Sequence, residues 1–196
     1  MIIEFDDYVD SETLEFIHNS IDSRIDTDGE VNDYHRVGTT VSVGKVKELQ
    51  AVNQKLTEIF RRAKRDIRQY YKNSYIGTGD TGYEFHRYYP GDVCKEHSDS
   101  EIVAGIPTLR YASAVLHLNT VEEGGELVFP AQDKMVKTQA GKMVIFPPYG
   151  MFSHYTTPAT IARDVIVTWF VYDGLSVVKN SINTTSDQGL LNVIHN

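Results

Sequence analysis

The stretch RDVIVTWFVY, residues 163–172, consists mostly of β-branched and aromatic side chains, which favour extended strands. Six further runs of similar character precede it, at residues 83–89, 110–119, 126–129, 135–138, 142–146 and 151–156. Pro-Gly, Glu-Gly-Gly, Ala-Gly and Pro-Pro-Tyr-Gly segments separate these runs and are typical of turns. Seven short strands with turns about every 8–12 residues predict a sandwich or a barrel.

Two segments before residue 82 repeat apolar side chains at helical spacing. The first follows Asp10, a residue suited to capping a helix, and places Leu14, Ile17 and Ile21 on one face. The second runs from about residue 45 to 71, and its basic residues 61–65 are expected on a solvated surface. The residues between these helices are polar and predict a loop or short strands. The fold class is therefore mainly β with N-terminal helices (α+β).

Composition and charge exclude several classes of protein. The 196 residues, 41% of them hydrophobic, suffice for the core of one domain. The single Cys94 cannot form an internal disulfide, which excludes a disulfide-stabilised secreted scaffold. No run approaches the roughly 20 apolar residues of a membrane span, and the acidic start MIIEFDDYVD is unlike a signal peptide, so we expect a cytoplasmic protein. The net charge of −8 argues against a nucleic-acid partner.

Three side chains form a candidate metal site. His97 and Asp99 follow a predicted strand and a Pro-Gly turn, and side chains two residues apart in an extended backbone project to the same face. His154, in a later strand-like segment, supplies a third ligand. Two histidines and one carboxylate match the facial triad of non-haem Fe(II) oxygenases, which leaves positions open for a bidentate cosubstrate and O₂. Zinc hydrolysis is an alternative use of such a set, although no H-E-x-x-H motif is present. The histidines that we expect to be structural are His18, His35 and His195, and His86 is a candidate only through its strand position.

Arg163 is a candidate anchor for a cosubstrate that carries a carboxylate. It lies nine residues after His154, and residues 157–160, TPAT, predict a turn that folds the chain back as a hairpin. Such a hairpin would bring the guanidinium beside the metal site, where it can bind a planar carboxylate through two hydrogen bonds. Pairing with the adjacent Asp164 is the alternative.

Five segments in a fixed order resemble the prolyl 4-hydroxylase group of 2-oxoglutarate- and Fe(II)-dependent dioxygenases. They are RYYPGDVCKEHSD (87–99), LRYASAVLHLN (109–119), EEGGELVFP (122–130), AGKMVIFPP (140–148) and SHYTTPATIARDVIVTWF (153–170). The resemblance covers close to half of the chain and implies a double-stranded β-helix, or jelly-roll, core flanked by helices. It implies a single domain with a helical support region at 1–80, a catalytic core at 81–173 and a tail at 174–196.

The resemblance also assigns roles to individual residues. It implies that His97, Asp99 and His154 bind Fe(II) and that Arg163 pairs with the distal carboxylate of 2-oxoglutarate. The family's cosubstrate-binding tyrosines fall on Tyr88, with Tyr89 as the alternative if the strand slips by one residue, and on His117, where this chain departs from the family. Cys94 stands where the family often has tyrosine, and Trp169 matches an aromatic residue near the substrate. The implied cofactors are Fe(II), 2-oxoglutarate and O₂, with ascorbate as an accompanying reductant.

The resemblance favours hydroxylation of a prolyl residue in a peptide or protein. Two other functions stay open at this point. A dioxygenase of the same fold that acts on a small molecule or a nucleic acid would share every iron ligand. A non-catalytic, cupin-like binding module would keep the jelly roll without the chemistry, although all four residues of the predicted metal and cosubstrate site are present.

Overall fold

A computed structural model of the chain describes residues 1–32, 36–70, 77, 79–100, 102–103, 106–107 and 110–172. His35, His195 and the predicted tail at 174–196 lie outside these ranges. The α-helices of the described part are α1 (Ser11–Asp22), α2 (Ile25–Asp28) and α3 (Gln50–Asp66). Its strands are β1 (Ile3–Phe5), β2 (Glu30–Asn32), β3 (Gly38–Ser42), β4 (Gly79–Asp80), β5 (Glu84–Tyr88), β6 (Ile102–Val103), β7 (Ile106–Pro107), β8 (Arg110–His117), β9 (Leu127–Phe129), β10 (Lys134–Val136), β11 (Met143–Phe146), β12 (Tyr155–Thr156) and β13 (Arg163–Val171).

A large antiparallel sheet forms one wall of the molecule, in the order β1-β11-β8-β13-β5-β3-β2, with β4 also paired to β13. The central strand β13 is buried on both faces, as its apolar composition predicts. Val165, Val167 and Trp169 belong to one core cluster, whereas Ile166 and Phe170 belong to another. The alternation therefore separates an inner core, inside the jelly roll, from an outer core that packs against the helices.

A smaller antiparallel sheet, in the order β10-β9-β12, faces the large sheet across the inner core. Residues 94–97 extend it, because the Thr156 amide donates to the Cys94 carbonyl at 3.0 Å and His97 forms an isolated bridge with His154. Two facing antiparallel sheets with helices on one side form a jelly-roll core, so the predicted fold class is confirmed.

The helices cover the outer face of the large sheet. Asp10 caps α1 as predicted, since its Oδ1 accepts a hydrogen bond from the Thr13 amide at 2.8 Å. The predicted second helix is shorter than expected, because Val46 has an extended backbone and two 3₁₀ turns, Val43–Lys45 and Lys47–Leu49, precede α3. Among the described residues, no helix has the length and the apolar character required to cross a bilayer.

Two features of the N-terminal region differ from the sequence-based expectation. Residues 1–80 contribute four strands to the large sheet: β2 and β3 lie where a loop or short strands were predicted, whereas β1 and β4 were not predicted. Strand β1 has only three residues, too few for a period of two to stand out, and it forms because β11 offers it a free edge. Lys64, in the basic run predicted to be solvated, is buried and pairs with Asp80 at 2.8 Å.

Candidate active site

His97, Asp99 and His154 converge on one point inside the jelly roll. One potential ligand atom from each of them lies within 4.8 Å of the other two. Nε2 of His97 is 3.5 Å from Asp99 Oδ1, and Nε2 of His154 is 3.9 Å from Asp99 Oδ2. The backbone bridge between residues 97 and 154 brings the two histidines together from neighbouring strands. The structure thus places the three predicted ligands in one cluster.

The outer ring nitrogens fix the orientation of both imidazoles. Nδ1 of His97 donates to the Lys95 carbonyl at 2.8 Å, and Nδ1 of His154 donates to the Phe152 carbonyl at 3.1 Å. In each ring this leaves Nε2 directed at Asp99. Histidines that bind metals are usually held in this way, with the second nitrogen donating to a backbone carbonyl.

Charges within the cluster suit a cation. Burial opposes ionisation of Asp99, but the hydrogen bond from His97 holds its pKa well below the usual range. Burial also favours neutral His97, yet its hydrogen bonds with Asp99 and Cys94 raise its pKa to about 10. Burial lowers the pKa of His154, so that ring is neutral at physiological pH. A metal ion bound at Nε2 of His97 would take the place of the proton that now pairs with Asp99.

Arg163 lines the same pocket and is 2% exposed. Its Nε donates to Thr138 Oγ1 at 3.2 Å, and its guanidinium lies 5.2 Å from the centre of the Tyr88 ring. None of the described carboxylates forms an ion pair with Arg163, including the adjacent Asp164, which pairs with Arg87 and His18 instead. A buried guanidinium without an acidic partner is suited to binding a carboxylate that enters the pocket.

The predicted hairpin between His154 and Arg163 is wrong. Strand β12 belongs to the small sheet and β13 to the large one, so the turn at 157–160 crosses between the sheets. The segment at 123–126 fixes this crossing, since the Thr157 amide donates to the Glu126 carbonyl at 3.1 Å. Gly124 makes the approach possible: its φ is +78°, and a Cβ there would lie 1.9 Å from the Pro158 carbonyl oxygen. Arg163 still reaches the metal site, because both sheets face the same interior.

Tyr88 is the buried tyrosine of the predicted pair and lines the pocket, whereas Tyr89 is 44% exposed. Burial raises the pKa of the Tyr88 hydroxyl, which therefore stays protonated and able to donate. His117 is fully buried but does not line the pocket. Burial, with the positive charges of Arg163 and Lys142, lowers the pKa of His117 well below its usual value. Neither ring nitrogen has a hydrogen-bond partner within the part of the chain that the structure describes.

Residues 83–171, which contain every residue of this pocket except Arg36, match the family described as the 2OG-Fe(II) oxygenase superfamily. This region of the chain, 89 of the 196 residues, is therefore similar to the 2OG-Fe(II) oxygenase superfamily. Members of this superfamily use Fe(II), 2-oxoglutarate and O₂, and the His-Asp-His cluster matches that requirement. No curated protein matches the chain.

Solved structures of several prolyl hydroxylases share the fold. The chain is 16% identical to a viral collagen prolyl hydroxylase of Paramecium bursaria Chlorella virus-1, solved with 2OG, with a TM-score of 0.65 over 87% of this chain and 96% of that one. A Pseudomonas putida prolyl-4-hydroxylase is 21% identical, with a TM-score of 0.66 over 88% and 93%. A Trichoplax adhaerens prolyl hydroxylase, solved with a hypoxia inducible factor peptide fragment, is 14% identical, with a TM-score of 0.70 over 94% and 87%.

The described residues fit the iron and the cosubstrate that this superfamily uses. The donor set of two imidazoles and one carboxylate is the one that non-haem Fe(II) sites use. The cosubstrate is a dicarboxylate, and such an anion would accept hydrogen bonds from the buried guanidinium of Arg163 and from the one protonated ring nitrogen of His117.

Three residues in or near this pocket were not identified from the sequence. Thr138 holds Arg163, and Arg110 stacks on Trp169 with its guanidinium 4.1 Å from the ring centre. Arg36 lines the pocket from the N-terminal region, far in sequence from the family segments. A strand-like pattern around Thr138 and Arg110 was visible, but their partners come from other strands, and residue 36 lay in a segment without a clear period.

Proposed function

We propose that this dioxygenase hydroxylates a C–H bond of a prolyl residue in a peptide or protein, converting 2-oxoglutarate, O₂ and R–H into succinate, CO₂ and R–OH. The observation that carries the proposal is the convergence of His97, Asp99 and His154 in a pocket that also holds the buried guanidinium of Arg163. A metal and a dicarboxylate can therefore bind side by side.

The triad binds Fe(II) through Nε2 of His97, Nε2 of His154 and a carboxylate oxygen of Asp99. When bound, Fe(II) and 2-oxoglutarate supply the oxidative chemistry by which O₂ hydroxylates a C–H bond. The Lys95 and Phe152 carbonyls keep both imidazoles in the orientation that presents Nε2. A triad of two histidines and one carboxylate would leave coordination positions of the metal for the cosubstrate and O₂.

Arg163 binds the distal carboxylate of 2-oxoglutarate, and Thr138 holds the guanidinium in place through Nε. The protonated Tyr88 hydroxyl is a further donor at the pocket wall. We infer that the bound dicarboxylate extends past the described lining of the pocket to His117, a neutral ring that donates one hydrogen bond from its protonated nitrogen. Its side chain is already buried beside the charge of Arg163.

The fold supports the choice of a prolyl substrate through its likeness to prolyl hydroxylases from a virus and a bacterium and to one that was solved with a peptide. This support is an argument by analogy, because one fold can host several substrates. The test therefore has to offer substrates of different classes to the same protein.

The experiment incubates purified protein with Fe(II), 2-oxoglutarate and ascorbate, and adds poly(L-proline), free L-proline or single-stranded DNA. We expect poly(L-proline) to stimulate succinate formation and to gain about 16 Da per hydroxylated residue, one oxygen atom. Asp99→Ala, which lacks the carboxylate ligand, is the inactive control. If only DNA or only free proline stimulated succinate formation, the proposed prolyl-peptide substrate would be wrong, whereas the proposed dioxygenase activity would be supported.

A further inference from the structure

Arg36 places a second guanidinium on the wall of the metal pocket, nearer to solvent than Arg163. The Arg36 side chain is 19% exposed, whereas Arg163 is 2% exposed. Its backbone forms an antiparallel bridge with Cys94, three residues before His97, at the junction of the two sheets. Arg163 therefore marks the closed end of the pocket, and Arg36 marks the side from which a substrate would enter.

A buried histidine holds the Arg36 side chain. Nη1 of Arg36 lies 3.1 Å from Nε2 of His86, and Nδ1 of His86 lies 2.8 Å from Thr40 Oγ1. Because a guanidinium only donates, Nε2 of His86 is the acceptor and Nδ1 carries the proton that it donates to Thr40. Burial, which outweighs Glu84 beside the ring, lowers the pKa of His86 to about 4, so the ring remains a neutral acceptor.

The guanidinium also has a hydrogen bond with the Cys94 side chain, but one of its donors has no partner among the described residues. Nε of Arg36 is buried and has no hydrogen-bond partner among the described residues. Glu84 Oε2, at 3.8 Å from Nη1, is too distant for a hydrogen bond but offsets much of the local positive charge. The site therefore offers a fixed donor to an acceptor that need not be charged.

We propose that Arg36 binds a backbone carbonyl oxygen of the peptide substrate next to the residue that is hydroxylated, and that His86 is the positioning residue for Arg36. This inference rests on the proposed function, because it assumes a peptide in the pocket. A second arginine for 2-oxoglutarate is not required, since the buried Arg163 already provides the anion site at the closed end.

The experiment measures binding without turnover. The protein is loaded with 2-oxoglutarate and Zn²⁺, which has no redox chemistry, and binding of fluorescein-labelled poly(L-proline) is followed by anisotropy. Prolyl residues have no backbone N–H, so the carbonyl groups are the polar groups that this probe offers. Arg36→Gln should raise the Kd for poly(L-proline) about tenfold or more. The change in the Kd for 2-oxoglutarate should be at least about fivefold smaller than the change in the Kd for poly(L-proline).

Two His86 variants separate positioning from general structure. His86→Phe removes the acceptor and should raise the peptide Kd as Arg36→Gln does, whereas His86→Gln keeps an acceptor and should restore most of the affinity. Arg61→Gln, at an exposed position on α3, is the matched control for loss of a positive charge. If His86→Phe does not fold, Arg36→Gln and His86→Gln still test the proposal.

Each outcome has a definite meaning. Equal peptide affinity in Arg36→Gln and wild type overturns the inference, as does a wild-type protein that binds no poly(L-proline) while turning over 2-oxoglutarate. Tighter binding of poly(L-glutamate) than of poly(L-proline), lost in Arg36→Gln, overturns the carbonyl assignment in favour of an anion. Absence of any 2-oxoglutarate turnover with Fe(II) contradicts the proposed function separately, because the binding assay does not depend on it.

Discussion

His97 and His154 each donate a backbone hydrogen bond to the carbonyl of the other, at 3.0 and 2.8 Å. Their ring centres are 4.4 Å apart, with both side chains on the same side of this bridge. Two histidines that are distant in sequence are therefore fixed by main-chain hydrogen bonds of the small sheet. Because the pair is preformed, metal binding requires little further loss of conformational entropy at these two residues.

Asp99→Ala should weaken Fe(II) binding by more than the roughly 10–100-fold that loss of an outer-shell partner costs. The carboxylate is the negatively charged member of the cluster and lies within 4 Å of both Nε2 atoms. Anaerobic calorimetric titration of Fe(II) measures the change, and Ser100→Ala, at an exposed position one residue beyond, is the control. Equal affinities for the two variants would exclude Asp99 as a ligand.

Arg163→Met should raise the KM for 2-oxoglutarate about 10- to 100-fold, because charge-assisted hydrogen bonds to the distal carboxylate are lost. Thr138→Val should have a smaller effect in the same direction, since it keeps the guanidinium and removes the acceptor of Nε, together with the hydrogen bond from Thr138 to the Gly125 carbonyl. Succinate formation at varied 2-oxoglutarate concentration measures both. An unchanged KM in Arg163→Met would show that the carboxylate binds elsewhere.

His117→Leu should stabilise the folded protein and, at the same time, weaken its binding of 2-oxoglutarate. A buried ring whose two nitrogens lack partners costs free energy, so its removal should increase the free energy of unfolding by about 1 kcal/mol. The KM for 2-oxoglutarate should rise about tenfold, because one donor to the carboxylate is lost. Urea unfolding and steady-state kinetics test the two effects, and a destabilised variant with normal KM would assign His117 to packing alone.

The sequence was sufficient to predict six of the seven main strands, the cap at Asp10 and the three clustered candidate ligands, because each depends on local pattern or on residue type. The strand predicted at 151–156 is only β12, since a 3₁₀ turn occupies Gly150–Phe152. Contacts that cross between sheets were not predictable. The crossing at 157–160 was mistaken for a hairpin, since a turn motif does not reveal which sheet the next strand joins. Arg36 was missed for a similar reason: its place in the pocket depends on pairing with Cys94, which no local period encodes.

The ion pair between α1 and the jelly roll should make stability depend on pH. His18 Nε2 lies 2.6 Å from Asp164 Oδ2, and this hydrogen bond raises the pKa of His18. A raised pKa means that the stabilisation is complete below the unfolded value of about 6.5 and is lost as the pH rises through the folded value.

His18→Gln should therefore lower the free energy of unfolding by about 1 kcal/mol at pH 6, and by less at pH 9. Urea unfolding of wild type and variant at both pH values measures the difference, with Asn19→Ala at an exposed neighbouring position as the control. If the difference in unfolding free energy between wild type and variant were the same at both pH values, the contact between His18 and Asp164 would not be an ion pair.

Gly124→Ala should destabilise the protein by about 2 kcal/mol or more, because the added Cβ meets the Pro158 carbonyl in addition to the cost of a positive φ. Gly82→Ala is a matched control: its φ is +86°, but a Cβ there meets nothing within 4 Å. Only the backbone cost of about 1 kcal/mol applies at this position. Equal losses of stability in the two variants, measured by thermal unfolding, would mean that the backbone at the sheet crossing moves away from the added Cβ without cost.

The most direct test of the account is the formation of succinate from 2-oxoglutarate by purified protein with Fe(II) and ascorbate, compared with His154→Ala. The account predicts Fe(II)-dependent succinate in the wild type, increased by poly(L-proline), and loss of this activity in the variant because one of the three metal ligands is missing. A wild-type protein that neither binds Fe(II) nor forms succinate, or a His154→Ala variant that retains full activity, would contradict it.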